Sequence, residues 1–291
     1  LSILDRRDLF FSHHQITGAP WANPPRYSID ERIAAVAAGG GAGVGFDIDA
    51  VDEILKERSL ADLRALLDQH GVAVGDLEIL LGWNVDEADS EGPRAVEARM
   101  YALAEGLGAK NIKLSAVIMP DALPPVELLT ERYAAVCDRA LEHGVGVALE
   151  PLAVFPGFDY TVATDIVIAA GRPNGGLLID GWHWFRDERH QEVLEKLTAS
   201  NVIGLELCDG YAEPRGTLIE DSTDSRLQPG EGDFDLAGLV RALDSRGLDI
   251  PLSIEVLSTE LRELSPLENV EQSIAAVTTF LDAVRAPSVV G

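Results

Sequence analysis

Eight short apolar runs recur along the chain, each separated from the next by a segment with helical spacing. This alternation is the feature that most constrains the fold. The runs are DLFFSHH, GVGFDID, VAVGDLEILLGW, NIKLSAV, VGVALEP, GLLID, VIGLELCD and PLSIEV. Near-continuous apolar strands mark a sheet buried on both faces, and parallel neighbours need a crossover that a helix usually supplies. The intervening segments carry helix signals. Ser28 and Glu31 form a capping box ahead of RIAAVAAGG, SLADLRALLDQHG stops at Gly71, and the helix after Pro125 stops at Gly144. Five more segments read as helical: PRAVEARMYALAEGLG, TVATDIVIAAG, EVLEKLTAS, DLAGLVRALDSRG and ENVEQSIAAVTTFLDAVR. Eight such units predict a single α/β domain over residues 1–291, a (β/α)8 TIM barrel. The chain length of 291 residues and its 46% apolar content are enough to fill one.

Four of the runs carry an acid at or near the C-terminal end: Glu150, Asp180, Glu206 and Glu255. In a parallel barrel the C-terminal strand ends converge on one mouth, so these carboxylates must share a small volume. Two like charges about 4 Å apart repel by roughly 4 kcal/mol at an effective dielectric near 20. Such a cluster needs captured protons or a cation, and a hard divalent metal is the simpler answer. The longest irregular stretch, GYAEPRGTLIEDSTDSRLQPGEGDFD, follows the seventh strand, where a barrel keeps functional loops.

A net charge of −26 argues against a nucleic acid or an anionic membrane surface as partner, since both reward clustered Lys and Arg. No run is apolar for 18 residues, and LSILDRRDLFF lacks the apolar core of a secretory signal. The two cysteines, Cys137 and Cys208, read as free thiols, so a cytoplasmic protein is expected. GGGAG at 39–43 lacks the following Lys and Ser/Thr of a phosphate loop and reads as a helix stop. Homo-oligomer formation is left open.

The ordered set ALEP, LLIDGWHWFR, ELCDG, RLQPGEGDFDLAGLVRAL and LSIEV resembles the xylose-isomerase-like TIM barrels, the sugar isomerase and epimerase superfamily. The resemblance implies a metal held by Glu150, Asp180, Glu206 and Glu255. Most members carry His at the position of Glu206, and some relatives resembling bacterial 3-dehydroshikimate dehydratases carry Gln. An all-oxygen ligand set implies one Mg²⁺ or Mn²⁺ ion in preference to Zn²⁺. The same resemblance implies Glu150 or Glu255 as the base and places His183 of the D-x-x-H motif against the substrate.

Arg226, ahead of the PGEGD turn, is expected to neutralise the acidic site or bind an anionic group. Arg186 is expected to hold a substrate carboxylate or phosphate, or else a surface ion pair. Trp182, His13 and Lys113 complete the expected substrate contacts, with one of His13 and His14 facing the mouth by strand alternation. The implied activity is enolisation of a small sugar or polyol carbonyl compound, as in isomerases and epimerases. Loss of a β-hydroxyl after the same proton abstraction, from an inosose or a cyclic hydroxy acid, is the lyase alternative. Type-IV apurinic endonucleases share the barrel but bind a three-zinc cluster through several His, a poor match to an acidic chain with six His.

Overall fold

The computed structural model describes residues 2–21, 23–86 and 91–286. Eight parallel strands close into a barrel in sequence order: β1 (Leu9–Phe11), β2 (Gly43–Asp47), β3 (Ala73–Leu80), β4 (Asn111–Leu114), β5 (Gly146–Leu149), β6 (Gly175–Asp180), β7 (Val202–Leu207) and β8 (Leu252–Ile254). The ring is completed by β1 on β8, with Phe11 opposite Ile254. Closure removes every sheet edge, and the strand interiors are almost fully buried, as the unbroken apolar runs require.

The local signals act where the sequence puts them. Ser28 and Glu31 cap the helix Ile29–Gly39, and Gly40 ends it in the left-handed conformation at φ 88°. Ser59 with Asp62 and Ser265 with Glu268 start the helices Leu60–His70 and Pro266–Arg285 in the same way.

Three readings are corrected. EVLEKLTAS is helical only at its start, within His190–Leu194. The stretch after β7 contains a helix, Leu218–Asp224, which Thr217 and Glu220 nucleate by a capping box hidden among polar residues. His13 and His14 lie in a 3-10 turn, His13–Ile16, so strand alternation does not set their directions. Short helices also follow β2 and β6 directly, at Ile48–Leu55 and Gly181–Arg186, each capped by the strand's last Asp.

A buried polar network ties the first and last units together at the mouth. Asn269 accepts from Gln15 Nε2 at 2.8 Å and donates to the Gln15 and Leu261 carbonyls at 3.0 and 3.1 Å, while Gln15 Oε1 accepts the Val256 N–H. Asn269→Ala removes the side-chain donor of the Gln15 carbonyl and one partner each of the Leu261 carbonyl, which keeps the Leu264 N–H, and of Gln15 Nε2, which keeps Ser273 Oγ. It should destabilise the fold by about 1–3 kcal/mol in urea unfolding, whereas a change below ~0.5 kcal/mol would show that water replaces the network.

Candidate metal centre

The strand register sets the four acids. Asp180 on β6 lies directly opposite Glu206 on β7, and Glu206 lies opposite Ser253, two residues before Glu255. Glu150 and Glu255 each continue their strands, donating backbone N–H to Leu114 and Leu207 on the neighbouring strands. One carboxylate oxygen from each of Glu150, Asp180, Glu206 and Glu255 falls within 4.8 Å of the others. All four residues are buried, at 4%, 0%, 0% and 7% exposure. Gly181 permits this approach, because a Cβ there would stand 2.6 Å from the Cys208 carbonyl oxygen.

Two buried cations flank the cluster. Lys113 Nζ lies 2.6 Å from Glu206 Oε1 and 3.1 Å from Glu78 Oε2. Arg226 Nη1 donates to Asp180 Oδ2 at 2.8 Å and to Glu255 Oε2 at 3.0 Å. With all groups ionised, four carboxylates against Lys113 and Arg226 leave a charge of −2, before Glu78 is counted. Burial alone would lower the Lys113 ammonium, but Glu206 and Glu78 more than offset it and hold it well above its usual range. Glu150 has no such cation in contact. Burial pushes its carboxyl well above the usual range; Lys113 opposes this without cancelling it, and Glu255 and Asp180 add to the rise.

The donor set fits a divalent cation. Glu206 Oε2 is buried with no hydrogen-bond partner, and an orphaned carboxylate oxygen inside a −2 cluster is what a metal ligand looks like before the metal is counted. Glu206 is fully buried and meets Lys113 inside the barrel.

His183 is fixed by two bonds. Its backbone N–H donates to Asp180 Oδ1 at 2.8 Å, and its Nδ1 accepts the Ala153 N–H at 3.1 Å. An accepting Nδ1 places the ring proton on Nε2. Burial, with help from Arg226, pushes the imidazole well below its usual value, so it is neutral at pH 7.

Other expected contacts are committed elsewhere. Trp182 Nε1 donates to Asp221 Oδ2 at 2.8 Å, and Arg186 pairs with the same oxygen at 2.8 Å while donating to the Tyr211 and Ala212 carbonyls. Arg186 is thus paired with the buried Asp221. Trp182 lies between two guanidinium groups, Arg186 and Arg226, each 5.6 Å from its ring centroid. Its side chain is fully buried. His13 is buried against His14 and Phe46, and burial holds it well below its usual value. Trp83 donates to the Ser115 carbonyl at 2.9 Å.

The sequence reading missed Asp221, Arg32 and the Glu78–Lys113 pair. Arg32 had a signal, because Ile29, Arg32, Ile33 and Val36 share the buried face of one helix. Asp209 gains a plain role: its carboxylate accepts N–H groups from Gly210, Gly230 and Phe234, which folds the PGEGD loop back onto β7.

Fold and site together define a parallel barrel with a buried carboxylate centre at the strand ends. The chain belongs to the xylose isomerase-like TIM barrel family, which matches residues 33–280. It is 27% identical over 234 residues to an inosose isomerase of Bacillus velezensis, covering 77% of this chain and 81% of the relative. It is 26% identical over 246 residues to a 3-dehydroshikimate dehydratase of Pseudomonas aeruginosa, covering 81% of this chain and 37% of that longer protein. Among solved structures, the IOLI protein with a binding zinc atom superposes at a TM-score of 0.80, with 20% identity, over 96% of this chain and 100% of that one. A fusion of such a barrel to a 4-hydroxyphenylpyruvate dioxygenase superposes at 0.82, with 18% identity, over 96% of this chain and 43% of the fusion. These relatives are enzymes. No helix among the described residues is long and apolar enough to cross a membrane.

A protonated Glu150 must release its proton when a cation enters. Binding of Mg²⁺ or Mn²⁺ should therefore tighten as pH rises above the ordinary glutamate range, with a calorimetric heat that scales with buffer ionisation. The metal-free protein shows the opposite sign. A carboxyl whose folded pKa is raised keeps its proton in the folded state after the unfolded chain has lost it, so this group's contribution to stability falls as pH climbs above the ordinary glutamate value. A saturating cation, at about 100 times Kd, should restore about 2.7 kcal/mol. Affinity independent of pH would remove Glu150 from the ligand set.

Proposed function

We propose that this chain is a divalent-metal-dependent enzyme that enolises a small polyhydroxylated carbonyl compound, in the manner of sugar isomerases and epimerases. The buried tetrad Glu150, Asp180, Glu206 and Glu255 carries the reading. These four residues would hold one Mg²⁺ or Mn²⁺ ion, because every donor is a hard oxygen. A bound ion of this kind supplies Lewis acidity, lowering the cost of removing a proton from the carbon next to a chelated carbonyl.

The rest belongs to the protein's own side chains. Glu150 is the better base. Burial, helped by Glu255 and Asp180 and opposed by Lys113, raises its proton affinity, and among the described residues no hydrogen-bonding cation ties it down. Glu255 stands across the cluster, where a second carboxylate can return the proton to the other face or the adjacent carbon, but Arg226 holds one of its oxygens. His183 presents a neutral Nε2–H, suited to donating to a substrate oxygen as charge develops on it. Lys113 and Arg226 set the charge balance and hold Glu206 and Asp180 in place.

The second reading is a hydro-lyase, in which the same proton abstraction is followed by departure of a β-hydroxyl. The likeness to a 3-dehydroshikimate dehydratase favours it, as does Glu206 standing where most of the family carries His. The small cyclic substrates named for the relatives, an inosose and 3-dehydroshikimate, are the compounds to screen first. Product mass separates the two readings, since isomerisation conserves mass and dehydration loses one water.

With a substrate in hand, His183→Ala should keep its metal and lose about 10² to 10⁴ in turnover, the usual contribution of a positioned acid or base. Asp180→Asn should lose metal affinity, and Glu255→Gln should lose both affinity and turnover. Full activity in His183→Ala would exclude His183 from the reaction; loss of metal in that variant would make it a support for Asp180.

A further inference from the structure

A groove of about 770 Å³ opens beside the barrel mouth, sharing with it the C-terminal ends of β1 and β2 through His13, His14 and Asp47. Arg32 lines it from the helix Ile29–Gly39 and is only 4% exposed. Among the described residues, no hydrogen bond or ion pair engages its guanidinium, and Nε is buried without a partner. His13 Nδ1, lining the same groove, is likewise buried and unpartnered. The contrast with the other buried cations is direct. Lys113, Arg226 and Arg186 each meet at least one buried carboxylate, at 2.6 to 3.1 Å. Burial pushes the Arg32 guanidinium down to about 10, which leaves it charged at neutral pH. A buried charge without a counter-ion is costly to keep, and pairing with an incoming anion would recover that cost.

We propose that Arg32 is the anion receptor of a subsite adjoining the mouth, and that the group it takes is a carboxylate carried on the ring of a cyclic polyhydroxy acid. The groove's other charges argue for a monoanion. Asp47 is engaged as a helix cap, Asp30 is paired with Arg58 and Glu53 with Lys56. These three, with Asp49 and Glu57, still surround the opening with carboxylates. An acidic rim disfavours a doubly charged phosphate, whereas a single carboxylate reaching the buried guanidinium gains a charge-assisted, two-pronged pair. The receptor stands on Arg32 alone; assigning its anion to the substrate rests on the mouth being the substrate site.

The test is titration calorimetry on the whole protein, with and without Mn²⁺, using quinate, its neutral methyl ester, acetate and inorganic phosphate as probes. Quinate should bind at least tenfold more tightly than its ester. Arg32→Met should abolish that preference, and Arg32→Lys should restore part of it. Arg32→Met should melt no lower than the parent in the absence of anions, because it removes an unpaired buried charge, so a loss of binding is not a loss of fold. If the quinate preference needs Mn²⁺, the carboxylate arrives on a ring seated in the mouth. Arg32-dependent binding of acetate and phosphate as tight as quinate, with or without Mn²⁺, would keep the receptor but overturn the ring acid as its ligand. An unchanged quinate preference in Arg32→Met, or no Arg32-dependent binding of any probe, overturns the receptor itself. A protein that binds no Mn²⁺ yet keeps its Arg32-dependent quinate preference would fail the metal reading and leave this one standing.

Discussion

The structure depends on how it tolerates four carboxylates in one dry volume. Lys113 and Arg226 grip the cluster from opposite sides, Lys113 through Glu206 and Arg226 through Asp180 and Glu255, and each is nearly inaccessible to water. Ion pairs of this kind are weak devices for stability, because desolvation consumes most of the attraction. Their effect here is on position. Lys113 draws on one oxygen of Glu206, Oε1, and leaves Oε2 unpartnered, whereas both oxygens of Asp180 are engaged, Oδ2 by Arg226 and Oδ1 by the His183 N–H. With every group ionised the pairing is incomplete by two charges, a shortfall that a divalent ion would close.

A second layer of polar contacts keeps the first in register. Asp180 caps the helix Gly181–Arg186, so a proposed metal ligand also fixes the start of the element that carries Trp182, His183 and Arg186. Asp221 then receives Trp182 and Arg186 together, which anchors the far side of that helix to the loop after β7. Movement of that loop would be transmitted through Trp182 to Arg226, whose guanidinium packs against the same indole and grips two of the four acids. Loop and centre are thus coupled through buried charge pairs that have few alternative arrangements.

Much of this was legible in the sequence, for identifiable reasons. Strand count and order follow from apolar runs of the right length, because a doubly covered parallel sheet admits little else. The tetrad was legible because strand ends converge, so residues far apart in sequence meet by topology alone. What stayed hidden depends on side-chain direction. Nothing in the DGWHWFR spacing says that Arg186 turns to Asp221, and nothing in NIKL says that Lys113 reaches across the barrel from β4 to Glu206 on β7. The helix Leu218–Asp224 was masked because its capping box sits in a run of polar residues with little apolar periodicity.

Arg32 differs from the other buried cations in a way that bears on the choice between the two chemistries. A neutral polyol needs only hydroxyl partners, and an unpaired guanidinium beside its site would be a standing cost with no return. A ring bearing a carboxylate turns that cost into binding energy far from the reacting carbon, where it can be spent on holding the ring against Glu150 and His183. Enolisation is common to both readings, so the tetrad cannot separate them. The separating interaction has to lie at the edge of the site, and if Arg32 receives a substrate anion as proposed, its buried, uncompensated charge near the ends of β1 and β2 would favour an acidic substrate.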